Sequence, residues 1–252
     1  MAIVIHAVRN LCKQKLLIDM KIDVTEFLDK KYKEKYVIIS KNKITVNACN
    51  QYRKPVLIRR YWNFGNNLAY ILGLWLGDKY IYGNRVGLSN KNPILLREFE
   101  KFLKHVSNSK VSFVVENKIK TKVYINSSIL RRILEGMQQN INKMTKSFII
   151  PYLAGRIDSD GCILASNLKH ISGLTKITYD KIKEAETDKK LLNYFKFKSC
   201  ILKYKNRNAF DLKISVLSCM KLFPILLKYV KNTKKRKDIL FCLAARTIKL
   251  VP

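Results

Sequence analysis

Acidic residues are scarce in this sequence: 18 Asp and Glu stand against 50 Lys and Arg in 252 residues, a formal net charge of +32. Such a chain repels itself and attracts polyanions. That points away from a binder of acidic proteins or an enzyme of neutral metabolites. It points towards nucleic acid, with an anionic membrane surface as the lesser alternative. Long apolar runs are also missing. The longest, Leu68 to Gly77, stops at Asp78, well short of the roughly 20 residues a membrane span needs. The start, MAIVIHAVRN, has no basic leader and too little apolar sequence for a signal peptide, so neither export nor membrane insertion is expected. The six cysteines (Cys12, Cys49, Cys162, Cys200, Cys219, Cys242) form no CxxC pair and show no Cys/His ligand spacing. A structural zinc site is therefore not expected. Free thiols imply a reducing, intracellular setting, cytoplasmic, nucleoid-associated or organellar. What is present is core material. At 48% hydrophobic residues the chain is too apolar for a disordered basic tail.

The excess charge is spread along the chain, +9 in residues 1–65, +9 in 66–150 and +14 in 151–252. This suits a long footprint better than a single basic tail. Lys outnumbers Arg 38 to 12, which favours diffuse phosphate attraction over geometric readout. An AT-rich genome or a hot habitat would also raise Lys, though neither alone explains so lopsided a balance. An internal repeat organises the chain. At an offset of 82, LAYILGLWLGDKY (Leu68 to Tyr80) and PYLAGRIDSDGCI (Pro151 to Ile163) overlap without gaps, setting Gly73 on Gly155, Gly77 on Ser159 and Asp78 on Asp160. KVYINSSILRRIL (Lys122 to Leu134) likewise resembles LKISVLSCMKLF (Leu212 to Phe223).

Each half then reads in one order: an apolar helix ending in Asp, strands, an amphipathic helix (Pro93 to His105; roughly Ile182 to Phe195), two alternating strands and a further helix. The expected organisation is a duplicated α+β fold. Residues 66–150 form one half and 151–252 the other. Residues 1–65 form an N-terminal extension, either an added nucleic-acid contact or a packing element. Within it, Lys13 to Lys35 reads as helical in parts and Lys35 to Val46 as strands. Val56 to Asn63 reads as a strand or lead-in, and Gly65 to Asn67 as a turn with Asn67 as N-cap.

Alternation in Lys118 to Ile125 sets Lys118, Lys120 and Lys122 on one strand face and Ile119, Val123 and Ile125 on the other, with Thr121 between them. That is a sheet with an oily face and a cationic face. In the second half Lys203, Lys205 and Arg207 run into an Asn206–Asn208 turn, and Lys213 follows on the returning strand. A solvated strand face has this pattern too. Two such faces in a duplicated chain suit a cationic saddle for a duplex, and a two-stranded ribbon is narrow enough to enter the major groove. Arg85, Lys118, Lys120, Lys122, Lys203, Lys205, Arg207 and Lys213 are the candidate DNA contacts.

Small residues recur every four positions at Ala69, Gly73 and Gly77, and again at Gly155 and Ser159. On a helix this makes one face. Glycine costs about 1 kcal/mol relative to alanine in a helix interior, so the stripes predict close packing of the two helices on each other. Each helix ends in an acid against the negative end of its macrodipole. Asp78 and Asp160, brought side by side, repel unless a cation lies between them. Oxygen donors of this kind suit Mg²⁺ or another divalent ion that also takes phosphate oxygens. Paired acids beneath a cationic groove are a constellation for phosphodiester hydrolysis. Turn capping by two unrelated acids is the plainer reading. Asp158 has no partner in the first half, where Leu76 stands, and is secondary.

These residues carry a resemblance. YLAGRIDSDG (Tyr152 to Gly161) resembles the LAGLIDADG motif, and ILGLWLGDK (Ile71 to Lys79) is similar to a divergent first copy of it. The downstream VGLSNKNPILLREFEKFL (Val86 to Leu103) is similar in kind. The resemblance covers about residues 66–252 and implies a single-chain, pseudo-twofold αββαββα homing endonuclease with saddle-shaped antiparallel sheets. Such an enzyme is a monomer with an internal pseudo-dimer. It cuts both strands of double-stranded DNA and is often encoded in an intron or intein. By motif position Asp78 and Asp160, with the carbonyls of Gly77 and Ser159, would hold the divalent metal. Family members also set basic side chains near the scissile phosphates, and Lys120 or Lys122 in the first half and Lys203 or Lys205 in the second are the candidates by strand position. Two positions depart from the motif. Lys79 replaces its final Gly, so either Lys79 is strained by about 1–2 kcal/mol in a left-handed turn or the helix ends differently. Leu76 replaces the middle acid. The alternative on the same fold is an RNA-splicing maturase, with structured RNA as partner, or a DNA-binding regulator that does not cut.

Overall fold

The computed structural model describes residues 20–30, 32–33, 37–46, 55–164 and 174–248. Cys12, Cys49 and residues 13–19 lie outside them; the described part of the stretch read as helical in parts holds a strand, Met20–Asp23, and a 3-10 turn, Val24–Phe27. In the extension, β1 (Met20–Asp23), β2 (Val37–Ile39), β3 (Lys43–Val46), β4 (Leu57–Arg59) and β5 (Tyr61–Phe64) form two small sheets, β1–β5 and β2–β3–β4, all antiparallel. Then come α1 (Asn66–Asp78), β6 (Lys79–Tyr82), β7 (Arg85–Ser89), α2 (Pro93–Val106), β8 (Ser112–Glu116), β9 (Ile119–Asn126) and α3 (Ser128–Gln139). The order repeats with α4 (Lys146–Asp160), β10 (Gly161–Leu164), β11 (Leu174–Tyr179), α5 (Ile182–Asn193), β12 (Ser199–Lys203), β13 (Phe210–Ile214) and α6 (Val216–Leu226), and α7 (Thr233–Ile248) follows. Each half is αββαββα. Its four-stranded antiparallel sheet is ordered β6-β7-β9-β8 in the first half and β10-β11-β13-β12 in the second. The duplicated α+β fold is the one the repeat implies. The helix of the second copy starts at Lys146, ahead of the motif.

Period-two patterning gives each sheet a core face. Val86, Leu88, Val123 and Ile125 are fully buried on the first sheet, and Thr175, Ile177, Leu212 and Ile214 on the second. The buried apolar residues of both halves, with Val24, Leu28, Tyr32, Ile44 and Ile58 of the extension, form one cluster. The extension packs on α3. Gly136 lies so close to Phe27 that a Cβ there would come within 2.3 Å of the Phe27 carbonyl oxygen, and the Tyr32 hydroxyl meets Ser128 Oγ at 3.0 Å. Asp23 accepts both Nε and Nη2 of Arg60 at 2.8 and 2.6 Å, tying β1 to β5. The described part of the extension is thus packed against the first half. Asn67 does not cap α1. The helix starts two residues earlier, at Asn66, with Gly65 as N-cap and no side-chain cap.

α1 and α4 are the centre. Gly73 and Gly155 put backbone against backbone: an added Cβ would sit 2.0 Å from the Tyr152 carbonyl oxygen at Gly73 and 2.1 Å from that of Tyr70 at Gly155. Helix propensity favours Gly155→Ala by about 1 kcal/mol. A methyl group forced onto backbone carbonyls costs about 1–3 kcal/mol or more, and neither helix can yield without moving its half. Gly155→Ala and Gly73→Ala are each expected to lower the urea midpoint of the full chain; an unchanged or raised midpoint would mean that the helices separate at no cost.

Candidate active site and nucleic-acid face

The close approach continues to the ends of both helices. A Cβ on Gly77 would fall 1.9 Å from Ser159 Oγ and 2.8 Å from Asp160 Oδ2. Gly77 thus touches the Asp160 side chain, and Asp78 is the next residue. Ser159 fits because its hydroxyl folds back onto its own helix, donating to the carbonyls of Gly155 (3.1 Å) and Arg156 (3.0 Å). The structure therefore brings the four sequence candidates Asp78, Asp160, Gly77 and Ser159 to one junction.

Neither helix ends in a left-handed residue. Lys79 has φ −59° and Gly161 φ −78°, so Lys79 is unstrained and the helices pass straight into β6 and β10. Gly161 is needed for space: a Cβ there would come within 2.5 Å of Ile157 Cα.

The two acids are held differently. Asp78 accepts one hydrogen bond from Asn90 Nδ2 at 2.6 Å. Burial pushes its carboxyl up to about 6, the nearby Asp160 charge adds to this, and the Asn90 bond opposes it. Asp160 is also raised by burial, against Arg156 and Lys235. Arg156, fully buried in the middle of the motif helix, lies 3.9 Å from Asp160, 3.6 Å from Glu184 and 3.3 Å from Asp188. Asp188 also accepts the hydroxyls of Tyr152 (2.8 Å) and Tyr179 (2.7 Å). Glu184 reaches across the junction to Lys79 at 3.6 Å. Asp158, aligned with Leu76, is a clamp. Its Oδ2 accepts the Tyr70 hydroxyl (2.8 Å) and the backbone N–H groups of Lys231 (2.7 Å) and Asn232 (3.3 Å). It fastens the segment before α7 to α4, and Lys235 enters the site from there.

This donor set fits a divalent cation. No group of three or more His, Cys, Asp or Glu side chains converges among the described residues. The two acids and their neighbouring carbonyls are hard oxygen donors, too few to enclose an ion. They would leave coordination positions for water and phosphate oxygens, as Mg²⁺ prefers. Two half-buried carboxyls held above their ordinary range also mark charge that a bound cation would relieve.

The basic candidates scatter more than strict alternation predicts. A register shift between Val114 and Val115 pairs Lys122 with Val114 but Lys120 with Val115. Such a bulge turns one residue out of sequence. Lys120 leaves the row of Lys122 and sits 4.0 Å over the ring of Phe113, whose register partner is the buried Val123. Lys118 is not in the strand but in the turn before it, at φ 64°. Ile119, expected on the oily face, is exposed. Lys203 pairs with Phe210 and shares the parity of Ile201 and Leu212, so it belongs to the helix-covered side at the rim. Lys205 and Arg207 lie in the exposed turn between β12 and β13, with Arg207 3.9 Å over the Tyr204 ring.

On the helix-free faces stand Arg85, Lys122 and Lys213. Arg85 lies over the rings of Tyr82 and Tyr124 at 5.6 and 5.1 Å, and Lys122 lies 5.4 Å over Tyr80. Lys213 is aligned across the sheet with Lys176 and Cys200. Lys176, Asn90, Arg156 and Lys235 were not candidates from the sequence. Only Arg156 carried a visible signal, a charge in the middle of an apolar motif.

No family model matches the sequence and no curated protein is significantly similar to it. Solved structures do match, and they define the class: the chain has the LAGLIDADG homing-endonuclease fold. It is similar to mesophilic variants of the homing endonuclease I-DmoI, with TM-score 0.53 and 22% identity over 65% of this chain and 96% of that one. It is similar to I-DmoI in complex with DNA and Mn, with TM-score 0.52 and 19% identity over 66% and 97%. It also resembles full-length DUF199/WhiA from Thermatoga maritima, with TM-score 0.50 and 17% identity over 72% and 60%. At these identities the likeness is one of fold.

A carboxyl raised from 3.8 to about 6 on folding binds an extra proton in the folded state between those values. Its contribution to stability therefore falls as pH rises through that window. Asp78→Asn is expected to stabilise the metal-free chain at pH 7 by on the order of 1–3 kcal/mol and to have no effect below pH 4. Urea melts at the two pH values check this, and equal effects at both would remove the titration from the account.

Proposed function

We propose that this protein is a divalent-metal-dependent endonuclease of double-stranded DNA, of the homing type. The observation that carries the reading is the junction itself. Asp78 and Asp160 end two helices in backbone contact, one from each half, and each half adds an antiparallel sheet with a helix-free face. Structures of that fold exist with DNA and Mn bound, in I-DmoI, and with target DNA and Mg. Asp78, Asp160 and the carbonyls of Gly77 and Ser159 would hold the metal, which supplies a Lewis acid and an activated water at a scissile phosphate. Arg85, Lys122, Lys176 and Lys213 would meet the phosphate backbone from the open faces. Lys118, Lys205 and Arg207 would reach it from the turns. Lys120 and Lys203 would serve as rim contacts rather than catalytic lysines.

The net charge of +32 supports a second reading equally, the same fold binding nucleic acid without cleavage. Cleavage of DNA substrates in Mg²⁺, lost in Asp78→Asn and in Asp160→Asn while DNA affinity is retained, is the expected result. Both variants cutting normally would reject these acids as ligands, and no cut in any metal would favour the binding reading.

Phosphate contacts can be tested separately by salt. Lys122→Ala is expected to reduce the slope of log K against log salt by about 0.9, whereas Lys120→Ala, turned off that face by the register shift, should change it by much less. An equal change in both would put Lys120 back on the DNA-facing row.

A further inference from the structure

Lys235 lies in the first turns of α7, outside both copies of the repeat. Its side chain nevertheless ends at the heart of the junction. The ammonium donates to the last carbonyls of α4, those of Ile157, Asp158 (2.8 Å) and Ser159 (3.2 Å). An ammonium has three N–H donors, and three carbonyls use them all, so none remains for a phosphate. The side chain is half-buried. Burial works against its charge, and Asp158, Asp78 and Asp160 work to keep it.

The placement is built. Asp158 holds the backbone N–H groups of Lys231 and Asn232 at 2.7 and 3.3 Å. Asn232 Oδ1 then accepts the N–H groups of Lys234 (3.1 Å) and Lys235 (3.3 Å), starting the helix. In the first half Leu76 stands where Asp158 stands in the second. Asp78 feels the Lys235 charge as well, but its hydrogen bond comes from the neutral Asn90 amide.

We propose that Lys235 is a resident cation that competes with a divalent ion at the junction, holding the Ser159 carbonyl at the end of α4. Ser159 offers one carbonyl to both, and a +1 charge a few ångströms from a +2 ion opposes it. Even at the dielectric constant of water that repulsion exceeds 1 kcal/mol, about tenfold in affinity. Asp158 acts through Lys235 as a positioning residue. The inference rests on the metal-dependent reading above.

The test is Mn²⁺ binding to the full chain without DNA, followed by electron paramagnetic resonance. Lys235→Met is expected to bind Mn²⁺ at least about tenfold more tightly than the parent. Lys235→Arg, which keeps the charge, should remain weak, and adding Asp160→Asn to Lys235→Met should abolish the gain. If Lys235→Met does not fold, Asn232→Ala, which loosens the first turn of α7, should shift affinity the same way by less. Unchanged or weaker binding in folded Lys235→Met, with the parent binding Mn²⁺, overturns this inference alone. No binding in either chain overturns the metal-centre reading and this inference with it.

Discussion

Two peptide backbones in contact set the geometry of this molecule. At Gly73 and Gly155 no side chain of any size separates α1 from α4. The hydrogen atom in place of a methyl fixes how near the two halves stand. It also fixes where their last residues fall. Because Asp78 and Asp160 sit at equivalent ends of helices so joined, their carboxyls are forced into a shared, half-buried space. A loss of about 1 kcal/mol of helix propensity per glycine is the local cost of this approach. The large apolar cluster of both halves is what offsets it.

The same contact concentrates charge. Burial raises Asp78 and Asp160 together, and the fixed cations that oppose it at both acids, Arg156 and Lys235, come from the second copy and the helix after it. Arg156 is anchored by Asp188, Tyr152 and Tyr179, and Lys235 by the ends of α4. The pseudo-twofold is therefore good for backbone and poor for electrostatics. Leu76 against Asp158 is where the symmetry breaks, because a leucine cannot hold the segment that delivers a lysine.

The αββαββα order and the glycine stripe were legible because they rest on periodicity and spacing, which survive without knowledge of tertiary contacts. The amphipathic run from Pro93 to His105 gave α2 to within one residue of its end. The paired acids were legible for the same reason, since the copies align without gaps. Lys120 was misread because alternation assumes an unbroken ladder, and nothing in KIKTKVYI announces the shift opposite Val114 and Val115. Asn67 looked like a cap because Asn is a good one, yet the chain turned at Gly65. Lys235 was hidden in a run of similar cations, Lys234 to Lys237. Only the turn fixed by Asp158 distinguishes the one that points inward.

The ion pair between Lys79 and Glu184, with Arg156 behind it, spans the seam between the copies. Each half thus reads an identity mark carried by the other, beyond the generic fit of glycine to glycine. Recombining one half with a foreign partner would carry over the interlocking helices but leave these charges without their counterparts. Modular exchange at this seam is accordingly a three-residue problem as well as a packing problem, and Glu184 is the residue to transplant first.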